Sequence, residues 1–187
     1  MIYVTSDLHF GHNNVIKYDN RPFQDVEEMD RALIALWNST VLQKDTTYIL
    51  GDLSWYGGEK TNKILKQLNG KKILIVGNHD NKFLEDAEFN RNLFAGIYDY
   101  LEIKENHVRY VLFHYPIADF NGKLGGAIHL YGHIHNTNLP LEESLEHSYN
   151  VGVVRHNFKP VRLERFHELE LSKRHGGLNE SSAEERG

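Results

Sequence analysis

The chain has no cysteine among its 187 residues, which excludes disulfides and thiolate metal sites alike. Only four prolines and two methionines are present, so neither a proline-rich linker nor a Met-rich docking face is available. No apolar run approaches the roughly 20 residues that a membrane helix needs, and no membrane partner is expected. Excess positive charge is missing too: 26 acidic side chains face 21 basic ones, a formal net charge of -5. That balance speaks against broad electrostatic binding of nucleic acid and leaves room for no more than a local basic groove. The opening residues Met1-Ile2-Tyr3-Val4 enter a strand-like pattern with no basic and apolar leader before them, so no secretory signal is expected. A cytoplasmic location fits these absences.

What remains is ordinary in bulk and unusual in one residue. Hydrophobic residues make up 40% and charged residues 25%, as in a soluble globular domain. Histidine is abundant, at 12 residues. The length suits a single domain, read as residues 1–175. Residues 176–187, polar and rich in Ser, Glu and Gly, read as a mobile tail.

Short apolar runs alternate with helical patterns. Strands are expected at 2–5, 47–50, 73–76, 110–113 and 128–131, each rich in β-branched or aromatic residues and bounded by Gly, Asp, Asn or His. Runs 98–103 and 107–113 flank Lys104-Glu105-Asn106 as a hairpin, and two closing strands are expected at 149–154 and 161–166. A helix is expected over 25–40, with Asp25 as N-cap, Glu28 three residues on, and Val26, Met29, Leu33, Leu36 and Trp37 on one face. A second helix spans 59–69 with Gly70 as its C-terminal stop, a short one 82–88, and a solvated one 164–174. The alternation implies an α/β arrangement, and the hairpin implies mixed sheets.

Function is carried by where the polar residues fall. Five apolar runs each end in metal-ligand types: Asp7 and His9; Asp52; Asn78 with His79 and Asp80; His114; His133 and His135. In open α/β sheets ligands bind beyond the carboxyl ends of the strands, so these ends converge if the strands lie side by side. Carboxylates clustered there repel one another, and divalent cations relieve that repulsion. Alternate positions on extended chain face the same way, so Asp7-Leu8-His9 and His133-Ile134-His135 can each present two groups together. Nitrogen and oxygen donors without sulfur suit manganese, iron or zinc, with manganese favoured. Each motif alone is weak; the five together specify a metal site.

Asp7-Leu8-His9, Gly51-Asp52, Gly77-Asn78-His79-Asp80, His114 and Gly132-His133-Ile134-His135 resemble, in order, the five motifs of the calcineurin-like metallophosphoesterases. The small bacterial and phage members are the nearest in character. The resemblance covers residues 7–135 and implies a four-layer αββα sandwich with two mixed β-sheets. It also implies a ligand set: Asp7, His9 and His135 on one metal, Asn78, His114 and His133 on the other, and Asp52 between them. His79 would sit over the scissile phosphate. One departure stands out, since the family's second motif often carries a second acid where this chain has Trp55.

The expected chemistry is hydrolysis of a phosphate ester, most naturally a phosphodiester of a small substrate. A hydroxide shared by two metals would attack, with His79 as general acid for the leaving group. Asp80 is a candidate for steering that histidine. Arg21 and Asn13 are candidates for gripping the substrate, Arg21 because a guanidinium binds phosphate bidentately. Alternatives are a nucleotide or RNA-end phosphodiesterase or nuclease, a phosphomonoesterase, or a non-catalytic metal-binding scaffold. The scaffold reading predicts gaps in the ligand set, and none of the seven positions is missing.

Overall fold

The structure is a computed structural model that describes residues 1–137 and 145–180, the last seven of these as backbone only. Two sheets stack face to face. The first is five-stranded in the order β4-β3-β2-β1-β9 and the second four-stranded in the order β5-β6-β7-β8. Strands β1 (Ile2–Thr5), β2 (Thr46–Leu50), β3 (Lys71–Ile75) and β4 (Gly96–Tyr98) run parallel, and β9 (Val161–Arg162) closes the sheet antiparallel to β1. Strands β5 (Tyr100–Glu105) and β6 (Val108–Phe113) pair antiparallel, while β6, β7 (Ile128–Tyr131) and β8 (Ser148–Asn150) are parallel. Both sheets are therefore mixed, as the alternation of elements implied.

Parallel neighbours need crossover connections, and helices supply them. Helix α2 (Val26–Thr40) joins β1 to β2, and α3 (Gly58–Gln67) joins β2 to β3. Asp25 caps α2 by accepting from Glu28 N at 2.7 Å, and the Glu28 side chain accepts in turn from Gln24 N at 2.7 Å. The first bond satisfies one of the N–H groups that the opening helical turn leaves free, and the second ties down the chain just before the cap. Met29, Leu33 and Trp37 of α2, with Ile64 and Leu65 of α3, pack on Tyr3, Ile49 and Leu74 of the first sheet. The opposite face of that sheet, Val4, Leu50 and Ile75, meets Tyr110, Leu112, Ile128 and Leu130 of the second. The alternation of strand residues between two apolar layers is why these runs read as almost wholly hydrophobic. The second sheet's outer face is covered by the 115–127 segment, with Ile117, Phe120 and Ala127 on Val111.

Some expectations change. The closing runs 149–154 and 161–166 supply one strand to each sheet, β8 to the second and β9 to the first. Both are shorter than expected, because Val153–His156 turns into a 3-10 helix and helix α5 starts at Glu164. The segment 82–88 contributes only a single-turn helix, α4 (Asn81–Leu84). Helix α5 runs Glu164–Glu180, beyond residue 176 where a tail was expected, and 181–187 lie outside the described residues. The hairpin turns at Asn106 and His107, both at positive φ of 48° and 66°, the geometry that two-residue hairpins favour. Among the described residues no helix is long and apolar enough to cross a membrane.

Candidate metal centre

The parallel strands deliver their carboxyl ends to one rim. Beyond β1 and β2 the two chains stay paired, with Asp7 N bonded to Gly51 O at 3.1 Å and His9 N to Asp52 O at 2.9 Å. From the second sheet, Gly132 N bonds His114 O at 2.9 Å. A bridge between Ser6 and Gly152 fastens the two sheets together there. The loops turn sharply: Asp7, His9, Asp52, His133 and His135 all have φ between 49° and 70°. That left-handed region is costly for residues with a Cβ and is tolerated where the surroundings over-determine it, typically at functional sites. Gly51 makes the approach possible. A Cβ there would lie 2.3 Å from His114 Nδ1 and 2.6 Å from Gly77 Cα.

Ligand atoms of Asp7, His9, Asp52 and His135 all lie within 4.8 Å of one another. His9 Nε2 and His135 Nε2 are 3.0 Å apart. On the other side of Asp52, Asn78 Oδ1 lies 2.9 Å from His114 Nε2 and 3.0 Å from His133 Nδ1. Asp52 Oδ2 stands 3.6 Å from His9 Nε2 and also 3.6 Å from His114 Nε2. His79 is near but separate, its backbone N–H donating to Asp52 Oδ1 at 3.0 Å and its ring 5.8 Å from that of His9.

Second partners set which nitrogen faces the centre. His114 Nδ1 is 2.8 Å from Leu50 O, so it donates there and its Nε2 lone pair points at Asn78 and Asp52. His135 Nδ1 donates to Asp19, at 2.8 Å from Oδ2. Asp7 accepts from Ser6 Oγ at 2.7 Å and from His133 N at 3.0 and 3.1 Å. Burial dominates the local electrostatics. It raises Asp7 above the usual carboxylate range and, with the His135 and Arg21 charges, holds His9 well below the usual histidine range. Burial also pulls His135 down, but the Asp19 hydrogen bond and the Asp7 charge outweigh it and His135 ends above its ordinary value.

This arrangement fits divalent cations on its own chemistry. Because His114 Nδ1 donates to Leu50 O, the lone pair of its Nε2 faces Asn78 Oδ1 at 2.9 Å, acceptor against acceptor. Facing acceptors repel unless a cation sits between them, and nitrogen and oxygen donors without sulfur match borderline to hard ions.

Two sequence candidates, Arg21 and Asp80, bond to other partners than expected, and a third, Asn13, makes no side-chain bond among the described residues. Arg21 is only 4% exposed and all of its reach is inward. It donates from Nε and Nη2 to Asp19 Oδ2 at 3.1 and 2.9 Å, from Nη1 to Leu8 O at 2.9 Å, and from Nη2 to Asp7 O at 2.9 Å. It braces the first ligand loop from behind, and its donors are spent before any phosphate arrives. Asp80 is fully buried and accepts from the backbone N–H groups of Gly77, Asp52 and Leu53 at 2.8, 3.0 and 2.9 Å. Burial raises its pKa to about 7. It ties the loops that follow β2 and β3 together, and among the described residues no hydrogen bond joins it to the His79 ring. Asn13 is exposed at the start of helix α1 (Asn13–Tyr18), with no side-chain bond among the described residues.

Asp19 is the residue that sequence reading passed over. It ends α1, 116 positions from the His135 it orients. Burial pushes it up, but His135 and Arg21 more than compensate and hold it below the usual carboxylate range. The only local hint was an acid two residues before Arg21.

Comparison with known proteins agrees with this geometry. A profile described as calcineurin-like phosphoesterase matches residues 1–182. An uncharacterised protein of Methanocaldococcus jannaschii is 39% identical over 168 residues, 87% of each chain. The gene 66 protein of Mycobacterium phage D29 is 30% identical over 159 residues, covering 72% of this chain and 78% of its own. A solved structure of a protein of unknown function from Aquifex aeolicus matches with a TM-score of 0.72 at 26% identity, over 90% of this chain and 98% of that one.

Proposed function

Because the chain belongs to the calcineurin-like phosphoesterase family, we propose that it is a dinuclear metal-dependent phosphodiesterase acting on a small phosphorylated substrate. The observation that carries the reading is Asp52. Its Oδ2 lies 3.6 Å from His9 Nε2 and 3.6 Å from His114 Nε2, between two groups of donors. Asp7, His9 and His135 would hold one ion, Asn78, His114 and His133 a second, and Asp52 would serve both. Bound there, a pair of divalent cations, manganese being our choice, would supply a clamp for phosphoryl oxygens and lower the pKa of a water at neutral pH. The protein's own part is to orient. Asp19 and Leu50 O fix the tautomers of His135 and His114, and Arg21 and Asp80 hold the loops. His79 would give a proton to the leaving oxygen, a contribution of roughly 10²–10⁴-fold.

A small substrate is favoured over a polymer. A cleft of about 530 Å³ beside β9 and the start of helix α5 collects Arg155, Lys159, Arg162 and Arg165, but Glu164 and Glu168 line it too. Arg162 pairs with Glu164, and Arg155 donates to His135 O and Thr137 O. Such mixed charge supports no continuous phosphate track. We assign the protein to the cytoplasm, which a cysteine-free chain suits.

The test is an assay of metal-free protein reconstituted with Mn²⁺, on bis(p-nitrophenyl) phosphate beside p-nitrophenyl phosphate. Metal-dependent cleavage of the diester, lost in Asp52→Asn and lowered at least ~100-fold in His79→Ala, is the expected result. Preference for the monoester would convert the reading to a phosphatase, and failure to bind two ions per chain would end it.

A further inference from the structure

Trp55 occupies the position where the family often has an acid, and its surroundings give it a different use. It lies between β2 and α3, three residues after Asp52. Its indole is parallel to the His12 imidazole, with ring centroids 4.0 Å apart and an interplanar angle of 8°. The His79 ring tilts against the same indole at 4.6 Å, and that of His9 lies at 6.3 Å. Tyr18 follows, edge-on to His12 at 6.4 Å and 74% exposed.

These rings are not filling the core. Leu53 and Tyr56, on either side of Trp55, pack into the apolar cluster under the first sheet, whereas Trp55 belongs to neither of the large clusters. It is half-buried, as is His12. Among the described residues no side-chain hydrogen bond engages the indole N–H, whereas the backbone of Trp55 is held at both groups, its N–H by Phe10 O at 2.7 Å and its carbonyl by Lys82 Nζ at 2.6 Å. His12 Nδ1 is buried and also lacks a partner. Tryptophan usually finds a partner for its N–H when it is buried for stability alone. A half-exposed indole, stacked on an imidazole and touching the general-acid histidine, has the form of a binding face.

We propose that Trp55 and His12 form a stacking subsite for a nucleobase, so that the preferred substrate is a nucleoside phosphoester. The proposal rests on the phosphoesterase reading above, and it follows from position. His79 meets the leaving oxygen, and the indole lies against His79, so the group carried by that oxygen emerges beside the rings. A flat ring there extends an existing stack. Every base offers a π-face, so such a site accepts bases by shape with little discrimination among them.

Binding separates this proposal from the reaction. The full chain with Mn²⁺ is titrated with adenosine 5′-monophosphate and, separately, with ribose 5-phosphate, which lacks the ring. The other tryptophan, Trp37, is fully buried, so quenching of indole emission reports on Trp55. The nucleotide is expected to quench saturably and to bind at least roughly fivefold more tightly than the sugar phosphate, the lower end of what base stacking contributes. By calorimetry, Trp55→Leu should bring that ratio close to unity and Trp55→Phe should keep most of it. Equal affinity of the two ligands for the parent protein, absence of nucleotide binding, or a ratio that survives in Trp55→Leu would each overturn the subsite. None of these readouts needs turnover. A protein that binds the nucleotide through Trp55 yet cleaves no ester would refute the reaction and leave the subsite standing.

Discussion

Replacing Arg21 distinguishes a brace from a phosphate grip. In Arg21→Met the stem volume is largely kept, but the buried Asp19 carboxylate loses its guanidinium, and the carbonyls of Asp7 and Leu8 lose their donors. Arg21 and Asp19 side chains are 0% and 6% exposed, so solvent screens little of the loss. Breaking one partner out of a buried pair costs about 3–5 kcal/mol. His135 still faces Asp19 at 2.8 Å, and water entering the space would serve the carbonyls, so the lower end applies. For a chain of this length each kcal/mol lowers Tm by roughly 2–4 °C, which puts the expected drop at roughly 6–12 °C for a loss of about 3 kcal/mol. Arg21→Lys keeps the charge but not the fork that reaches three acceptors, and should fall between. Calorimetric melting of the metal-free proteins is the measurement. A Tm unchanged within about 2 °C, together with a raised KM, would show that Arg21 serves substrate and that the bracing argument is wrong.

Other outcomes follow from the same contacts. Asp19→Asn removes the carboxylate that orients His135 and should weaken Mn²⁺ binding by roughly 10–100-fold in titration calorimetry. Asp80→Asn puts an amide N–H against one of three backbone donors and should cost about 1–3 kcal/mol in urea unfolding, with metal affinity falling as the loops loosen. Gly51→Ala must move either the His114 ring or the Gly77 backbone, besides straining a φ of 83°; loss of metal binding should accompany a lower Tm, and a well-behaved, metal-binding variant would contradict it. Away from the site, Glu170 accepts from His147 Nδ1 and Tyr149 Oη. Burial would raise it, but these bonds hold it below its ordinary 4.5. A depressed folded-state value means that its stabilisation is complete above about 4.5 and fades as pH falls through the folded pKa. Denaturant midpoints should therefore show Glu170→Gln less stable than the parent near neutrality, with the gap closing in acid.

The strand runs ending at Asp7, Asp52, Asn78, His114 and His133 could be read directly from the chain, because hydrophobic runs and their polar stops are local features. Helix α2 was legible for the same reason: its period, its Asp25 cap and Glu28 lie within a few residues of one another. The family motifs added the expectation that these ends meet. Less local matters were beyond such reading. That β8 and β9 pair with different sheets depends on partners at Tyr131 and Tyr3, far away along the chain. Register of that kind is chosen by which faces bury together.

At the site the division is sharper. The sequence by itself determined which chemical groups are available: five imidazoles, three carboxylates and an amide at strand ends, no thiol, and a tryptophan in place of an acid. Only the tertiary structure decided what each group does. Arg21 looks outward in the sequence, beside Asn20 and Pro22, yet it turns inward because the carbonyls of Asp7 and Leu8 would otherwise lack its donors and the buried carboxylate of Asp19 would keep only His135. Asp80 follows His79 in the chain but serves three backbone amides instead. Asp19 reaches His135, and His133 N reaches Asp7, across 116 and 126 residues. Such roles are set by which polar groups lose water together on folding, a property of the packed chain that adjacency in sequence does not encode.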